Sequence, residues 1–163
     1  MRTEYRHDDV DKTAWGDGPW VDEPDKVVWV DEATNLDCMI YRNRVGALCG
    51  YVGVGPDHPW YGKDYDTPDV DVHGGLTYAD KCQETADEAN GICNVPLPGR
   101  EHDIWWLGFD CSHSFDLCPS YEAFDRERGR PPIADSRFVS TYKDIDYVTA
   151  QVTSLAAQVA EAS

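Results

Sequence analysis

Hydrophobic and polar residues follow strand-like patterns over several stretches of the chain. KVVWVDEA, residues 26–33, is rich in β-branched and aromatic residues and predicts a strand. CMIYRNRVGALCGYVGV, residues 38–54, predicts a β-hairpin. DVDVHGGLTY, residues 69–78, alternates strictly, as a strand with one apolar face does. IWWLGFD, residues 104–110, is apolar on both faces and therefore predicts a central strand.

The tail of the chain predicts one amphipathic helix. Apolar residues recur there every three or four positions, at Ile145, Val148, Val152, Leu155 and Val159. Thr141 and Asp144 are spaced as in a capping box and predict the start of this helix. Residues 119–139 predict irregular structure, and 79–103 a polar insertion bracketed by Cys82 and Cys93.

These elements together predict an α+β fold, with a mainly antiparallel β-sheet, long loops and one C-terminal α-helix. Residues 1–25 are acidic and rich in Gly, Pro and Trp. We expect them to form an extended N-terminal arm anchored by Trp15 and Trp20. Residues 26–163 are then a single α+β domain, a size at which one hydrophobic core is normal.

The six cysteines leave several possibilities open. If Asn43 and Arg44 form a two-residue hairpin loop, Cys38 lies directly opposite Cys49, where the two thiols would pack, form a disulfide or share a metal. No CxxC spacing indicates zinc. The N-terminus lacks an apolar signal-peptide core and no apolar run reaches about 18 residues, so we expect a cytoplasmic location, no membrane span and reduced thiols.

The charge of the chain is strongly negative. Its 163 residues include 14 Lys and Arg against 31 Asp and Glu, a net charge of −17. Because Lys and Arg bind the phosphate backbone, direct nucleic-acid binding is not expected. The acidic surface either keeps the protein soluble and does nothing more, or it imitates DNA and so occupies a DNA-binding enzyme of the host.

Two strand-like runs end in residues that could form one site. His73 precedes Gly74 and Gly75, which leave open space beside its ring. If the runs 70–78 and 104–110 are adjacent, two imidazoles and two carboxylates converge. These groups would suit zinc or another divalent metal, or general acid–base catalysis without a metal. The predicted metal ligands are His73, Asp110, His113 and Asp116. As alternatives, each histidine is structural or at the surface, and Asp110 caps a turn.

A second set of residues predicts a pocket for a small polar ligand. The loop 56–65 concentrates aromatic and polar groups, and rings that stack on a base together with a Lys or Arg on phosphate would hold a nucleotide. Other cations lie at Arg42, Arg44 and in RERGR, residues 126–130. No phosphate-binding loop or dinucleotide fingerprint is present in the sequence. The predicted ligand-binding residues are His58, Trp60, Tyr61, Lys63, His73, Gly74, Gly75 and Asp110.

Long motifs within residues 26–118 resemble uncharacterised proteins encoded by bacteriophages of actinobacteria and by their hosts. The motifs include DVDVHGGLTY and WWLGFDCSHSFDL. The resemblance implies a phage accessory protein that works in a bacterial cytoplasm, with counter-defence as one role. It implies no mechanism.

Three functions are therefore compatible with the sequence. The first is binding of a nucleotide-like ligand between loop 56–65 and the ends of the runs 70–78 and 104–110. The second is a metal-dependent hydrolase that uses His73, Asp110 and His113. The third is an acidic surface mimic that inhibits a host defence protein.

Overall fold

The protein, described by a computed structural model, has an α+β fold, as the sequence predicts. The structure describes residues 1–8, 10–85, 87–129 and 140–163. Six strands form one antiparallel sheet in the order β1-β2-β3-β4-β6-β5. The elements are β1 Thr3–Tyr5, β2 Lys26–Val30, β3 Asp37–Arg42, β4 Leu48–Val54, β5 Tyr78–Lys81, β6 Trp105–Asp110, α1 Pro119–Glu127 and α2 Ile145–Glu161.

The strands β2 and β6 and the β3–β4 hairpin lie where the sequence predicts them, but the predicted hairpin register is wrong. The Asn43 side chain accepts hydrogen bonds from two backbone N–H groups of the turn, those of Val45 and Ala47, and closes a longer loop over residues 43–47. Cys38 therefore pairs with Val52. The predicted contact between Cys38 and Cys49 does not form, because Tyr41 occupies the position opposite Cys49.

The predicted strand over residues 69–78 is wrong except where it enters β5. Gly74 and Gly75 have φ angles of 66° and 77°, in the left-handed region that breaks a strand. The backbone N–H groups of Asp71 and His73 donate to the side-chain oxygens of Gln158 and Gln151 on α2, and a bond to β6 appears at Thr77, just before β5. The alternating pattern thus belongs to a loop that lies along α2.

The C-terminal helix α2 packs across β4 and β3 with the predicted apolar stripe. Its buried side chains are Val148, Val152, Leu155, Ala156 and Val159. The helix is capped by Asp144, whose side chain accepts from the backbone N–H of Tyr147 at 2.9 Å. The predicted start at Thr141 is wrong, since Thr141 instead forms a β-bridge with Asp116.

A second helix, α1, lies within the segment 119–139 that the sequence predicts to be irregular. Pro119 occupies its first turn, where a missing backbone N–H costs nothing. Pro119 is the one buried residue of α1. A helix that buries so little needs no apolar stripe, so the sequence shows no helical pattern here. The remainder of the segment, residues 130–139, lies outside the described part of the chain, as does the last arginine of RERGR.

The first 25 residues are joined to the sheet and to α2. The strand β1 pairs with the edge strand β2, and Trp15 and Trp20 are buried. Arg42, itself fully buried, pairs with Asp25 at 2.7 Å and with Glu23 at 3.2 Å. Arg42 is therefore a structural cation and is not available to a ligand.

The polar insertion, residues 79–103, contains a loop that is closed by a disulfide between Cys82 and Cys93. The prediction of reduced thiols is wrong for this pair, whereas the other four cysteines are free and buried. The loop is also tied to β2, because the buried Lys26 ammonium donates to three of its backbone carbonyls at 2.7–2.9 Å. Among the described residues, no helix is long and apolar enough to cross a bilayer.

Candidate functional site

Three of the predicted metal ligands meet at the end of β6. His73 comes from the loop 69–77, and His113 and Asp116 come from the loop that follows β6. His73 Nε2 lies 2.8 Å from Asp116 Oδ2, and His113 Nδ1 lies 3.3 Å from the same oxygen. The three candidate ligand atoms all lie within 4.8 Å of one another. These three residues, which lie in two separate sequence motifs, are therefore close together in the structure, as the sequence predicts.

Asp116 is the buried centre of this cluster. Burial alone raises the pKa of its carboxyl, but hydrogen bonds from His73, from the backbone N–H of His113 and from Lys143 outweigh it and lower the pKa below its usual value. The carboxylate is therefore ionised at neutral pH, which is the form that binds a metal.

Two residues that the sequence gave no reason to select complete the surroundings. The Tyr147 hydroxyl on α2 lies 2.8 Å from His73 Nδ1. Lys143 Nζ, just before the helix, lies 3.1 Å from Asp116 Oδ1. Tyr147 is part of the polar face of α2 and Lys143 precedes the helix, so no periodicity distinguishes them from surface residues.

The two glycines after His73 differ sharply in their surroundings. A Cβ atom built on Gly74 would overlap the His113 ring, so this glycine allows the imidazole to reach Asp116. A Cβ atom on Gly75 would meet nothing within 4 Å. The expected open space beside the histidines therefore exists at Gly75, while His113 fills the space at Gly74.

Asp110 lies at the margin of the cluster and outside its ligand set. Its Oδ1 is 3.9 Å from His113 Nδ1 and accepts from the backbone N–H of Ser112. Its Oδ2 accepts from the Thr77 hydroxyl at 2.7 Å. Both oxygens are thus engaged in holding the end of β6 against the loop 69–77, in agreement with the turn-capping alternative.

The loop 56–65 lies away from His73, so the structure does not bring the two groups of predicted ligand-binding residues together. His58 Nε2 donates to the carbonyl of Val159 at 3.0 Å, near the last turn of α2. Tyr147, which contacts His73, lies twelve residues earlier, about 18 Å away along the helix axis. The Lys63 carbonyl accepts from the indole of Trp105 at the start of β6. Trp60 and Tyr61 are partly buried and pack on the core.

The cluster His73, His113 and Asp116 fits a small divalent ion. Zinc binds imidazole nitrogen and carboxylate oxygen at about 2.0–2.2 Å, which places tetrahedral ligands roughly 3.3 Å apart. The two imidazole nitrogens lie 2.8 and 3.3 Å from Asp116 Oδ2, at or just below this spacing. All three ligand atoms lie within 4.8 Å of one another, so a bound ion would draw the two imidazoles closer together. Tyr147 behind His73 corresponds to the outer partner that usually orients a metal-binding histidine.

No protein-family model, curated protein sequence or solved structure matches this chain. The resemblance to phage-encoded proteins therefore stays a prediction, as do counter-defence and surface mimicry.

Proposed function

We propose that the protein binds one divalent transition-metal ion, with zinc as the first candidate, and acts as a metal-dependent hydrolase. The ligands are His73 Nε2, His113 Nδ1 and Asp116 Oδ2. One observation supports the proposal most strongly: three ligand atoms from two separate loops lie within 4.8 Å of one another. Sites with three protein ligands and one open position are typical of catalytic zinc.

The cluster is partly open to solvent, so a substrate could reach a bound ion. About a third of the His113 side chain is exposed, against 14% of the His73 side chain and none of the Asp116 side chain. The open space at Gly75 adjoins His73. A bound divalent ion in such a site polarises a carbonyl or phosphoryl group and generates a hydroxide nucleophile near neutral pH.

The chain itself orients the ligands. When Nε2 is the ligand, His73 Nδ1–H donates to the Tyr147 hydroxyl, and this contact holds the orientation of the ring. Lys143 pairs with Asp116 Oδ1, whereas Oδ2 faces the two imidazoles and also accepts the backbone N–H of His113. The ammonium also balances the buried carboxylate when the ion is absent.

The proposal is tested by calorimetric titration of metal-free protein with zinc. We expect one equivalent to bind, and His73→Ala, His113→Ala and Asp116→Asn each to abolish tight binding. His102→Ala is the matched control, because His102 is an exposed histidine outside the cluster. Zinc binding that survives all three substitutions, or that His102→Ala removes equally, would contradict the proposal.

Hydrolysis is tested on the same proteins with p-nitrophenyl phosphate and p-nitrophenyl acetate. We expect at least one of these two substrates to be hydrolysed, and we expect this turnover to require zinc and to be lost in Asp116→Asn. Turnover that persists in chelator and depends on His73 would instead support metal-free acid–base catalysis by the His73–Asp116 pair, whose hydrogen bond is 2.8 Å long.

A further inference from the structure

A cavity opens beside Asp110 on the face of the sheet opposite α2. Its volume is about 540 Å³, within the usual range of roughly 300–1,000 Å³ for small-molecule pockets. Side chains alternate along β6, so Asp110 lies on the same face as Trp106, which belongs to the core on that side. The wall includes charged, aromatic and hydroxyl groups, among them Arg44, Asp110, Ser112, Thr77, Tyr78 and Tyr121.

Arg44 supplies the cavity with a cation that is free to bind an anion. The turn 43–47 that carries it is held by the Asn43 side chain, which also donates to the Ser112 hydroxyl at 2.8 Å. Arg44 is exposed and makes no ion pair within the described residues, although acidic residues outnumber basic ones by 31 to 14. An unpaired arginine on such an acidic chain favours an anionic ligand at this position.

The tyrosines supply surfaces for a flat ring. Tyr51 and Tyr78 contact each other edge to face, with ring centroids 5.4 Å apart, and both line the cavity. The Tyr78 hydroxyl is buried and has no hydrogen-bond partner among the described residues. Tyr121 on α1 is 58% exposed at the cavity wall. These rings give the cavity an aromatic wall against which a flat base can stack.

We propose that this cavity binds a nucleoside monophosphate or a close analogue. The base lies against the tyrosines and the phosphate meets Arg44, while Asp110 lines the cavity next to them. Asp110 also lies 3.9 Å from His113, so the ligand would adjoin the metal cluster. That the ligand is the substrate of the metal centre rests on the proposed function, whereas the binding itself does not.

The proposal is tested with AMP as the probe, by two-dimensional amide NMR of metal-free protein in the presence of EDTA. We expect saturable shifts at Arg44, Tyr78 and Asp110, and binding about tenfold weaker for adenosine, which lacks the phosphate. Arg44→Gln should weaken AMP binding by a similar factor and leave adenosine binding unchanged. Arg2→Gln is the control, since Arg2 is an exposed arginine next to β1 at the far edge of the sheet.

Absence of saturable AMP shifts up to millimolar concentrations would overturn the proposal. Equal loss of affinity in Arg44→Gln and Arg2→Gln would also overturn it, because the phosphate would then be bound by overall charge. His73→Ala separates the two proposals: AMP binding that persists in this variant supports an independent cavity even if zinc binding is disproved.

Discussion

Gly74 and Gly75 offer a matched pair of substitutions for the candidate metal site. Both have positive φ angles, so alanine at either position costs about 1–2 kcal/mol of backbone strain. Only at Gly74 does the added Cβ overlap the His113 ring, which must then move away from Asp116. Gly74→Ala therefore removes one of three ligands, whereas Gly75→Ala leaves all three in place.

The size of the expected effect follows from this difference. Loss of an outer partner alone typically weakens metal binding 10- to 100-fold, so displacement of a ligand should weaken it by about 100-fold or more. Zinc affinity is measured by competition with a chromophoric chelator, and stability by urea unfolding of the metal-free proteins. We expect similar unfolding midpoints for the two variants and a large affinity loss in Gly74→Ala alone. Equal zinc affinities in the two variants would refute the argument.

Three further outcomes are expected. Tyr147→Phe removes the hydroxyl next to His73 and should weaken zinc binding about tenfold in the same chelator competition, with unchanged urea unfolding. Burial raises the pKa of Asp25, but hydrogen bonds from Lys12, from the backbone and from Arg42 outweigh it and lower the pKa below the unfolded value of about 3.9. The stability from this carboxylate is present above the unfolded pKa and lost as pH falls through the folded one, so urea unfolding should show a decrease below about pH 4 that is smaller in Asp25→Asn. Lys26→Met leaves three carbonyls without their donor and should cost about 1–3 kcal/mol, with faster amide exchange in residues 82–93.

Periodic patterns explain which parts of the fold the sequence predicts. The stripe in α2 reflects burial of one helix face, and the apolar run of β6 reflects burial on both faces of the sheet, so both elements are predicted correctly. The alternation over 69–78 misleads, because glutamine side chains of α2, distant in sequence, take the backbone hydrogen bonds that a strand would make. The short helix α1 buries too little apolar surface to produce a pattern.

The candidate site was predictable in part for similar reasons. His73 lies next to a glycine pair, and His113 and Asp116 follow an apolar run, a signal visible in the sequence. Tyr147 and Lys143 were not predictable, because their role depends on how the loop 69–77 lies along α2. The loop 56–65 carries aromatic and polar residues typical of a binding site, but His58 bonds to the far end of that helix, and Trp60 and Tyr61 pack on the core.

The most direct test of the metal site is diffraction from zinc-soaked crystals on both sides of the zinc absorption edge. We predict one anomalous peak within about 2.2 Å of His73 Nε2, His113 Nδ1 and Asp116 Oδ2. The Lys143 ammonium should remain next to the other Asp116 oxygen. Saturating zinc with no peak between these three atoms, or a peak only at surface carboxylates, would contradict the proposed metal centre.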